Sequence, residues 1–306
     1  MAVRKLFLSV GAMKAGTTFL FNVFSRHPEL YFTPEKELHF FAQTGGLSAD
    51  LRTPLVTSAL GNLKARVFGP GDILSPEFRR HRLSMVMHNR FAKLQDADRL
   101  REIVRWYADR YLTNPIDDAW FDRVFEAAGD RYASDFSNYH ALLGRDGWKH
   151  VKSLADEVKV IYTLRHPVSR LWSHVKFHYI QSGRRAALDS FDLAEMQDIL
   201  REGAISCHAR YGDIVESLME NLQDDQLKVI VFEDFMDDFI AGARQVETFL
   251  GIGEHHYRGV NPDRKANATE EIAIAEPIRA LIVEAVTPQL EKLRRLGIDL
   301  PQSYWK

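Results

Sequence analysis

The chain alternates short runs of apolar, β-branched residues with longer segments whose apolar positions recur at helical spacing. Strand-like runs lie at residues 6–10, 31–32, 132–136, 158–164 and 227–232. Two of these runs, KVIYTL and LKVIVF, are apolar at almost every position, which is typical of strands that are covered on both faces. Strands of this kind favour a parallel sheet.

Helical patterns fill the intervals between and after these strands. They lie at residues 17–25, 100–111, 168–180, 211–222, 235–250 and 271–296, the last interrupted by Pro277 and Pro288. Strands that alternate with helices form right-handed βαβ units. The sequence therefore predicts an α/β fold, a P-loop-like three-layer sandwich in which helices flank a central parallel sheet.

One stretch, at about residues 44–98, departs from this alternation. It is rich in Gly, Pro and Arg, and includes GNLKARVFGPGDILSPEFRRHR. We interpret it as an irregular insertion within a single domain of residues 1–306. Since α/β proteins bind their ligands at the carboxyl edge of the sheet, the insertion is expected to lie over that edge.

The segment FLSVGAMKAGTTFLFNVF, residues 7–24, joins the first strand to the first helix through a glycine turn. The N–H groups at a helix start lack intrahelical partners and the helix dipole is positive there, so such a turn can bind a phosphate. Gly11 and Gly16 allow the backbone to approach an anion, and Lys14 adds a positive charge. We interpret the turn as an anion site, with a purely structural strand-to-helix turn as the alternative.

The glycine spacing also matches half of the nucleotide-triphosphatase P-loop. In that motif a lysine follows the second glycine, whereas Thr17 follows Gly16 here. The lysine of this chain, Lys14, stands two positions before the second glycine instead. A P-loop kinase or NTPase that uses Mg²⁺ and ATP is therefore kept as an alternative function.

KAGTT after a strand resembles the 5′-phosphosulfate loop of sulfotransferases that use 3′-phosphoadenosine 5′-phosphosulfate (PAPS) and release 3′-phosphoadenosine 5′-phosphate (PAP). YTLRHPVSRLWSHVKFHY, residues 162–179, resembles the 3′-phosphate motif of the same family, in which a strand-end Arg precedes a helical Ser by eight residues. The segment NPDRKAN, residues 261–267, lies where the family often closes over the 3′-phosphate. The resemblance implies that the nucleotide is bound by Lys14, Ala15, Gly16, Thr17, Thr18, Arg165, Ser173, Arg264 and Lys265.

TPEKELHFF, residues 33–41, resembles the E-x-H-F-F segment of heparan-sulfate-type and many bacterial sulfotransferases, where the Glu is the catalytic base. By position that residue is Glu37, which would take the acceptor proton. Lys14 would balance the charge that grows on the bridging oxygen. His39 is an alternative base or else a structural histidine, and Lys36 is interpreted as a surface charge or a substrate contact.

One segment departs from the heparan-type pattern. Those members carry E-K-T-P-x-Y before the strand with the 3′-phosphate Arg, whereas this chain has SDFSNY, with Asp135 in the lysine position. The departure argues against a similarly acidic polysaccharide as acceptor. We expect a small-molecule or carbohydrate acceptor that offers a hydroxyl, with an amine as the alternative. Three arginines of the insertion either steer an anionic acceptor or are solvated in a loop: Arg79, Arg80 and Arg82.

Composition limits the remaining classes of function. The formal net charge of −2 provides no global attraction to nucleic acid or to a membrane. The single cysteine, Cys207, is expected to be a buried small hydrophobe, and it fits a reducing, cytoplasmic location. His174 and His178 have i, i+4 spacing, but no metal is required for sulfuryl transfer and none is expected. A non-catalytic nucleotide- or sugar-binding module is the second alternative, and the oligomeric state is left open.

Overall fold

The centre of the protein is a parallel sheet of five strands in the order β2-β3-β1-β4-β5. The computed structural model describes residues 3–44, 75–91, 97–201, 203–261 and 270–305. Each predicted strand is present to within one residue at either end, and the predicted fold class is confirmed. The strands are β1 (Lys5–Ser9), β2 (Leu30–Phe32), β3 (Tyr132–Asp135), β4 (Glu157–Leu164) and β5 (Leu227–Val231).

Helices cover both faces of this sheet. They are α1 (Thr17–Phe24), α2 (Phe40–Thr44), α3 (Pro76–Phe91), α4 (Ala97–Trp106), α5 (Asp118–Val124), α6 (Arg145–Ser153), α7 (Pro167–Gln181), α8 (Leu193–Arg201), α9 (Gly203–Ser206), α10 (Tyr211–Asn221), α11 (Phe232–Asp237), α12 (Phe239–Leu250) and α13 (Glu276–Arg295). A π-helical turn, Tyr107–Tyr111, continues α4. Within the described part of the chain, no helix is both long enough and apolar enough to cross a bilayer.

The near-continuous hydrophobicity of the strands reflects burial on both faces. Leu6 and Leu8 of β1 belong to one hydrophobic cluster, whereas Phe7 between them belongs to the other. In β4, Val160 and Ile161 divide in the same way. Because successive side chains point to opposite faces of a strand, a strand between two helical layers needs apolar residues at every position.

Two predicted helices differ from the observed ones at breaks that have local causes. The helix predicted at residues 235–250 is two helices, and the side chain of Asp238 between them accepts a hydrogen bond from the Ala241 N–H, which caps α12. Pro277 does not interrupt the last helix but lies at its start, where a proline lacks no needed donor. Pro288 lies inside α13, which continues past it.

The stretch predicted as irregular contains a helix, so that prediction is wrong for residues 76–91. Residues 45–74 and 92–96 lie outside the described residues. Arg79 of α3 is fully buried, and its guanidinium donates to the carbonyl oxygens of Tyr111 and Thr113 and to Oδ1 of Asn114. It is therefore neither solvated nor free to steer an acceptor.

Arg82, one turn later on α3, anchors the helix to a second segment. Its Nη2 lies 2.6 Å from Oε2 of Glu35, a carboxylate that is almost completely buried. Tyr107 donates its hydroxyl to the other oxygen of the same carboxylate. Glu35 thus joins α3 and the π-helical turn to the segment that carries Glu37.

The strand order brings three connections to one place. β1 lies between β3 and β4, so the segments that follow these three parallel strands emerge side by side at the carboxyl edge of the sheet. The β1–β4 pairing continues beyond the strands, because the Val10 and Ala12 N–H groups donate to the carbonyls of Ile161 and Thr163 at 3.0 and 2.9 Å. The loop after β1 is therefore held by β4 before it reaches α1.

The buried bonds of Arg79 lead to a stability prediction. Arg79→Met removes the donors of three oxygen acceptors, and we expect the free energy of unfolding to fall by about 3 kcal/mol, because buried polar groups are left unsatisfied. The neighbouring Arg80 is exposed, so Arg80→Met should change this free energy by no more than about 0.5 kcal/mol. Urea unfolding followed by circular dichroism measures both; equal effects would contradict the structural role of Arg79.

Candidate active site

The connection from β1 to α1, residues 11–18, is referred to below as the anion loop. Lys14 and Gly16 both have left-handed backbone conformations, with φ of 68° and 83°. Gly16 is the N-cap of α1 and offers no side chain to the N–H groups of the first turn, which also contains no acidic residue. These donors and the positive end of the helix dipole are therefore directed to a ligand or to water.

A second requirement for glycine at position 16 comes from a neighbouring ring. A Cβ placed on Gly16 would lie 2.1 Å from Cε2 of Phe232, the first residue of α11. Phe232 also lies near Arg165, with 5.8 Å between the guanidinium carbon and the ring centroid. Phe232 is thus a site residue that was not predicted from the sequence, although it directly follows β5 at the ligand edge.

Arg165 and the anion loop are in direct contact. Arg165 follows β4, and its Nη1 donates to the carbonyl oxygen of Lys14 at 3.0 Å. The Tyr211 hydroxyl donates to the Arg165 carbonyl at 3.0 Å and so fixes the backbone from α10. The two segments that were predicted to bind opposite ends of one ligand therefore meet at one edge of the sheet.

Helix α7 supplies the wall beside Lys14. Ser173 is a partly exposed residue of this helix, and Phe177 lies one turn further on, so both occupy the same face. The Lys14 Nζ lies 4.4 Å from the centroid of the Phe177 ring. Ser173 therefore lies one helical turn from a ring that contacts Lys14, whereas the predicted contacts Arg264 and Lys265 lie outside the described residues.

Glu37 lies at the centre of a hydrogen-bond network. Its Oε1 accepts from Lys36 Nζ at 2.6 Å and from Asn138 Nδ2 at 3.1 Å, and its Oε2 lies 3.4 Å from His39 Nε2. Burial alone would raise the pKa of this carboxyl, but the charge of Lys36 and the hydrogen bond from His39 outweigh it and hold the pKa well below its usual range. Glu37 is therefore ionised at neutral pH and can accept a proton.

Lys36 connects this network to the anion loop. Its Nζ donates to Thr17 Oγ1 at 3.2 Å as well as to Glu37, and the side chain is only 17% exposed. The interpretation of Lys36 as a surface charge is wrong, while a substrate contact remains a prediction. Asn138, which was not predicted from the sequence, adds a second link because its Oδ1 lies 3.4 Å from Thr17 Oγ1.

Asp135 holds the segment of Glu37 in place from the end of β3. This fully buried carboxylate accepts from the Leu38 N–H at 3.0 Å and from the Ser137 hydroxyl at 2.8 Å, and Ser137 in turn accepts from the His39 N–H at 2.9 Å. Burial raises the pKa of Asp135 to about 6. The residue at the heparan-type lysine position is therefore an internal acceptor here.

The site concentrates positive charge in a chain whose formal net charge is −2. The pKa of Lys14 is lowered from 10.5 to about 8, first by burial and then by the nearby charges of Arg165 and Lys36. Lys176 of α7 adds to this field. An anion bound between these cations would offset the repulsion between their like charges.

Three further residues, His174, Cys207 and Glu233, are buried or hydrogen-bonded within the fold. His174 is buried, and burial together with Arg170 lowers its pKa well below the usual value. Cys207 is buried, as predicted, and burial raises its pKa to about 11. Glu233, after β5, accepts from the His166 N–H and the Tyr304 hydroxyl.

Comparisons with known proteins identify the family and the fold of the chain. A profile of the sulfotransferase family matches residues 7–256. The structure is similar to a sulfotransferase from Alicyclobacillus acidocaldarius, with a TM-score of 0.59 and 18% identity over 99% of this chain and 100% of that one. No curated protein sequence matched the chain.

Two further solved structures have the same fold. One is the sulfotransferase domain of the Synechococcus PCC 7002 olefin synthase, with a TM-score of 0.53 and 16% identity over 98% of this chain and 96% of that one. The other is the sulfotransferase domain from the curacin biosynthetic pathway, with a TM-score of 0.53 and 15% identity over 98% and 99% of the two chains.

The collision with Phe232 predicts an asymmetry between two glycines. Gly16→Ala adds both a left-handed alanine and an overlap with the ring, so we expect a loss of about 2–5 kcal/mol in the free energy of unfolding. Gly251, the C-cap of α12, is also left-handed, with φ of 65°, but a Cβ placed there would meet no described atom within 4 Å, so Gly251→Ala should cost only about 1–2 kcal/mol. Chemical denaturation compares the two variants, and equal losses would show that the ring moves aside freely.

Proposed function

Because this chain belongs to the sulfotransferase family, we propose that it moves a sulfuryl group from PAPS to an acceptor hydroxyl, with an amine as the alternative acceptor. The observation that carries the proposal is the contact between Arg165 and the Lys14 carbonyl. It brings two anion-recognition segments, far apart in sequence, to one edge of the sheet. PAPS is a nucleotide with an anionic group at each of two positions, and such a pair of sites suits it.

In the proposed arrangement, the two segments bind different ends of the donor. The 5′-phosphosulfate lies on the anion loop, where Lys14, Ala15, Gly16, Thr17 and Thr18 contribute charge, N–H groups and hydroxyls. The 3′-phosphate lies against Arg165 and the hydroxyl of Ser173. Arg264 and Lys265 stay candidates for closing over it.

The chemical step requires one proton transfer and one sulfuryl transfer. The acceptor oxygen forms a bond to sulfur as the bond between sulfur and the bridging oxygen of the 5′-phosphate breaks, and Glu37 takes the acceptor proton. Lys14 stabilises the negative charge that develops on the bridging oxygen of the departing PAP. Lys36 lies between Thr17 and Glu37, which suits a cation that faces the transferring group.

Two observations favour a small-molecule acceptor over an acidic polysaccharide. Asp135 stands where heparan-type enzymes carry a lysine, so this position offers no positive charge to a polyanion. Its side chain is also fully buried. Two of the similar structures are domains of an olefin synthase and of the curacin biosynthetic pathway. A P-loop kinase is disfavoured because no lysine follows Gly16.

The role of Glu37 predicts a separation of transfer from binding. We expect Glu37→Gln to lower the rate of sulfuryl transfer by about 10²–10⁴-fold, because the amide cannot accept the proton, while PAP binds with nearly unchanged affinity. The rate is measured as PAP released from PAPS with a panel of alcohols, phenols and amines. His39→Gln is the matched variant: a large loss there with an active Glu37→Gln would make His39 the base.

Two other results would contradict the proposed sulfuryl transfer itself. A wild-type protein that releases no PAP with any acceptor and prefers ATP to PAP in calorimetry would contradict the proposal. Tight binding of PAP without turnover would instead select a non-catalytic nucleotide-binding module.

The lowered pKa of Lys14 predicts a pH dependence of donor binding. An anion on the loop favours the charged amine, so PAP affinity should be constant near pH 7 and fall as the pH rises through about 8, where the free protein loses this proton. Isothermal titration calorimetry from pH 7 to pH 9.5 measures it. In Lys14→Arg the charge persists over this range, so its affinity should stay level; the same fall in both proteins would assign the titration to another group.

A further inference from the structure

Arg170 is a buried cation beneath the anion loop. It lies in α7, five residues after Arg165, and its exposure is 0%. Its Nε and Nη2 have no hydrogen-bond partner among the described residues, and no described carboxylate forms an ion pair with it. Buried charges are almost always paired, so this guanidinium needs an explanation.

Neutral groups and the underside of the loop surround Arg170. Its Nη1 donates to the Met13 carbonyl at 3.4 Å and lies 3.5 Å from His174 Nδ1, and its guanidinium carbon lies 5.8 Å from the centroid of the Tyr211 ring. Burial, and then Arg170 itself, lowers the pKa of His174 and of His208, so both rings are neutral at neutral pH. Within the described ranges, the charge of Arg170 therefore has no counter-charge on its own side of the loop.

Two arginines hold consecutive carbonyls of the loop. Arg165 binds the carbonyl of Lys14, and Arg170 binds that of Met13. In a planar trans peptide the C=O and the N–H point in opposite directions, so a Met13 carbonyl held toward Arg170 turns the Lys14 N–H away from it. Lys14 itself has a left-handed conformation, with φ of 68°.

We propose that Arg170 is a positioning residue for the 5′ end of the donor. It holds the Met13–Lys14 peptide so that the Lys14 N–H faces the anion, and its charge is balanced only by the anion on the other side of the loop. In a low-dielectric interior this attraction acts across the thickness of the loop. The inference rests on the proposed function, since it assigns the anion as the 5′-phosphate end of the nucleotide.

The test separates positioning from a merely structural role. Arg170→Met should weaken PAP binding by about tenfold or more, the loss expected for a charged hydrogen bond. Its melting temperature without nucleotide should be unchanged or higher, because an apolar side chain replaces a buried charge that no acid compensates. Adenosine 3′-phosphate, which lacks the 5′ group, should bind both proteins equally. Arg170→Lys, which keeps the charge and a donor, should recover part of the PAP affinity.

Arg79→Met is the matched control, because Arg79 is equally buried but donates to three oxygens away from the loop. It should show the reverse pattern, a lower melting temperature with unchanged PAP affinity. The proposal is overturned if Arg170→Met behaves like Arg79→Met, or if it weakens adenosine 3′-phosphate as much as PAP.

A wild-type protein that binds no PAP would contradict the proposed function without deciding the role of Arg170. Amide hydrogen exchange of the nucleotide-free protein then decides it. Faster exchange at residues 14–18 in Arg170→Met, with unchanged exchange in β1, supports a loop-positioning role, and identical exchange in both proteins overturns it.

Discussion

The site of this protein depends on the pairing of β1 with β4 and on its continuation into the loop. The ladder does not stop at Ser9, because Val10 and Ala12 still donate to β4 and Thr163 donates back to the Gly11 carbonyl at 2.8 Å. The first half of the anion loop is thus an extension of the sheet. The loop then turns through left-handed Lys14, and Arg165, from the end of the same β4, holds the carbonyl at that turn. One pair of strands therefore sets the distance between the loop after β1 and Arg165.

The same geometry concentrates charge that the fold must tolerate. Burial, and then the nearby charges of Arg165 and Lys36, lowers the pKa of Lys14 to about 8. Glu37 offsets part of this repulsion through its bond to Lys36, and its ionised state is the form that accepts a proton. Lys36 therefore lies between the carboxylate of Glu37 and Thr17 at the start of α1.

Local pattern was sufficient to predict the sheet, about half of the helices and the glycine turn between β1 and α1. Apolar, β-branched runs identify strands that are buried on both sides. The stretch GAMKAGT after β1, with Gly11, Lys14, Gly16 and Thr17, is typical of a helix start that can bind an anion. Lys36, Asn138 and Phe232 were missed or misjudged, because their importance arises from contacts between segments that are distant in sequence. The three residues share a position in the fold, since each lies in the segment that follows a strand at the ligand edge. Arg79 was misjudged for the related reason that only tertiary contacts distinguish a buried arginine from a solvated one.

Asp135, which stands where the heparan-type pattern has a lysine, supports the segment that carries Glu37 and His39. A lysine at the end of β3 would extend toward solvent or substrate, whereas the shorter Asp135 turns inward and binds the Leu38 N–H and the Ser137 hydroxyl. Through Ser137 it also supports the backbone of His39, which has a left-handed φ of 56°. That conformation is uncommon for a residue with a side chain and persists only where its surroundings hold it. One buried carboxylate at the end of β3 therefore holds the backbone around both Glu37 and His39.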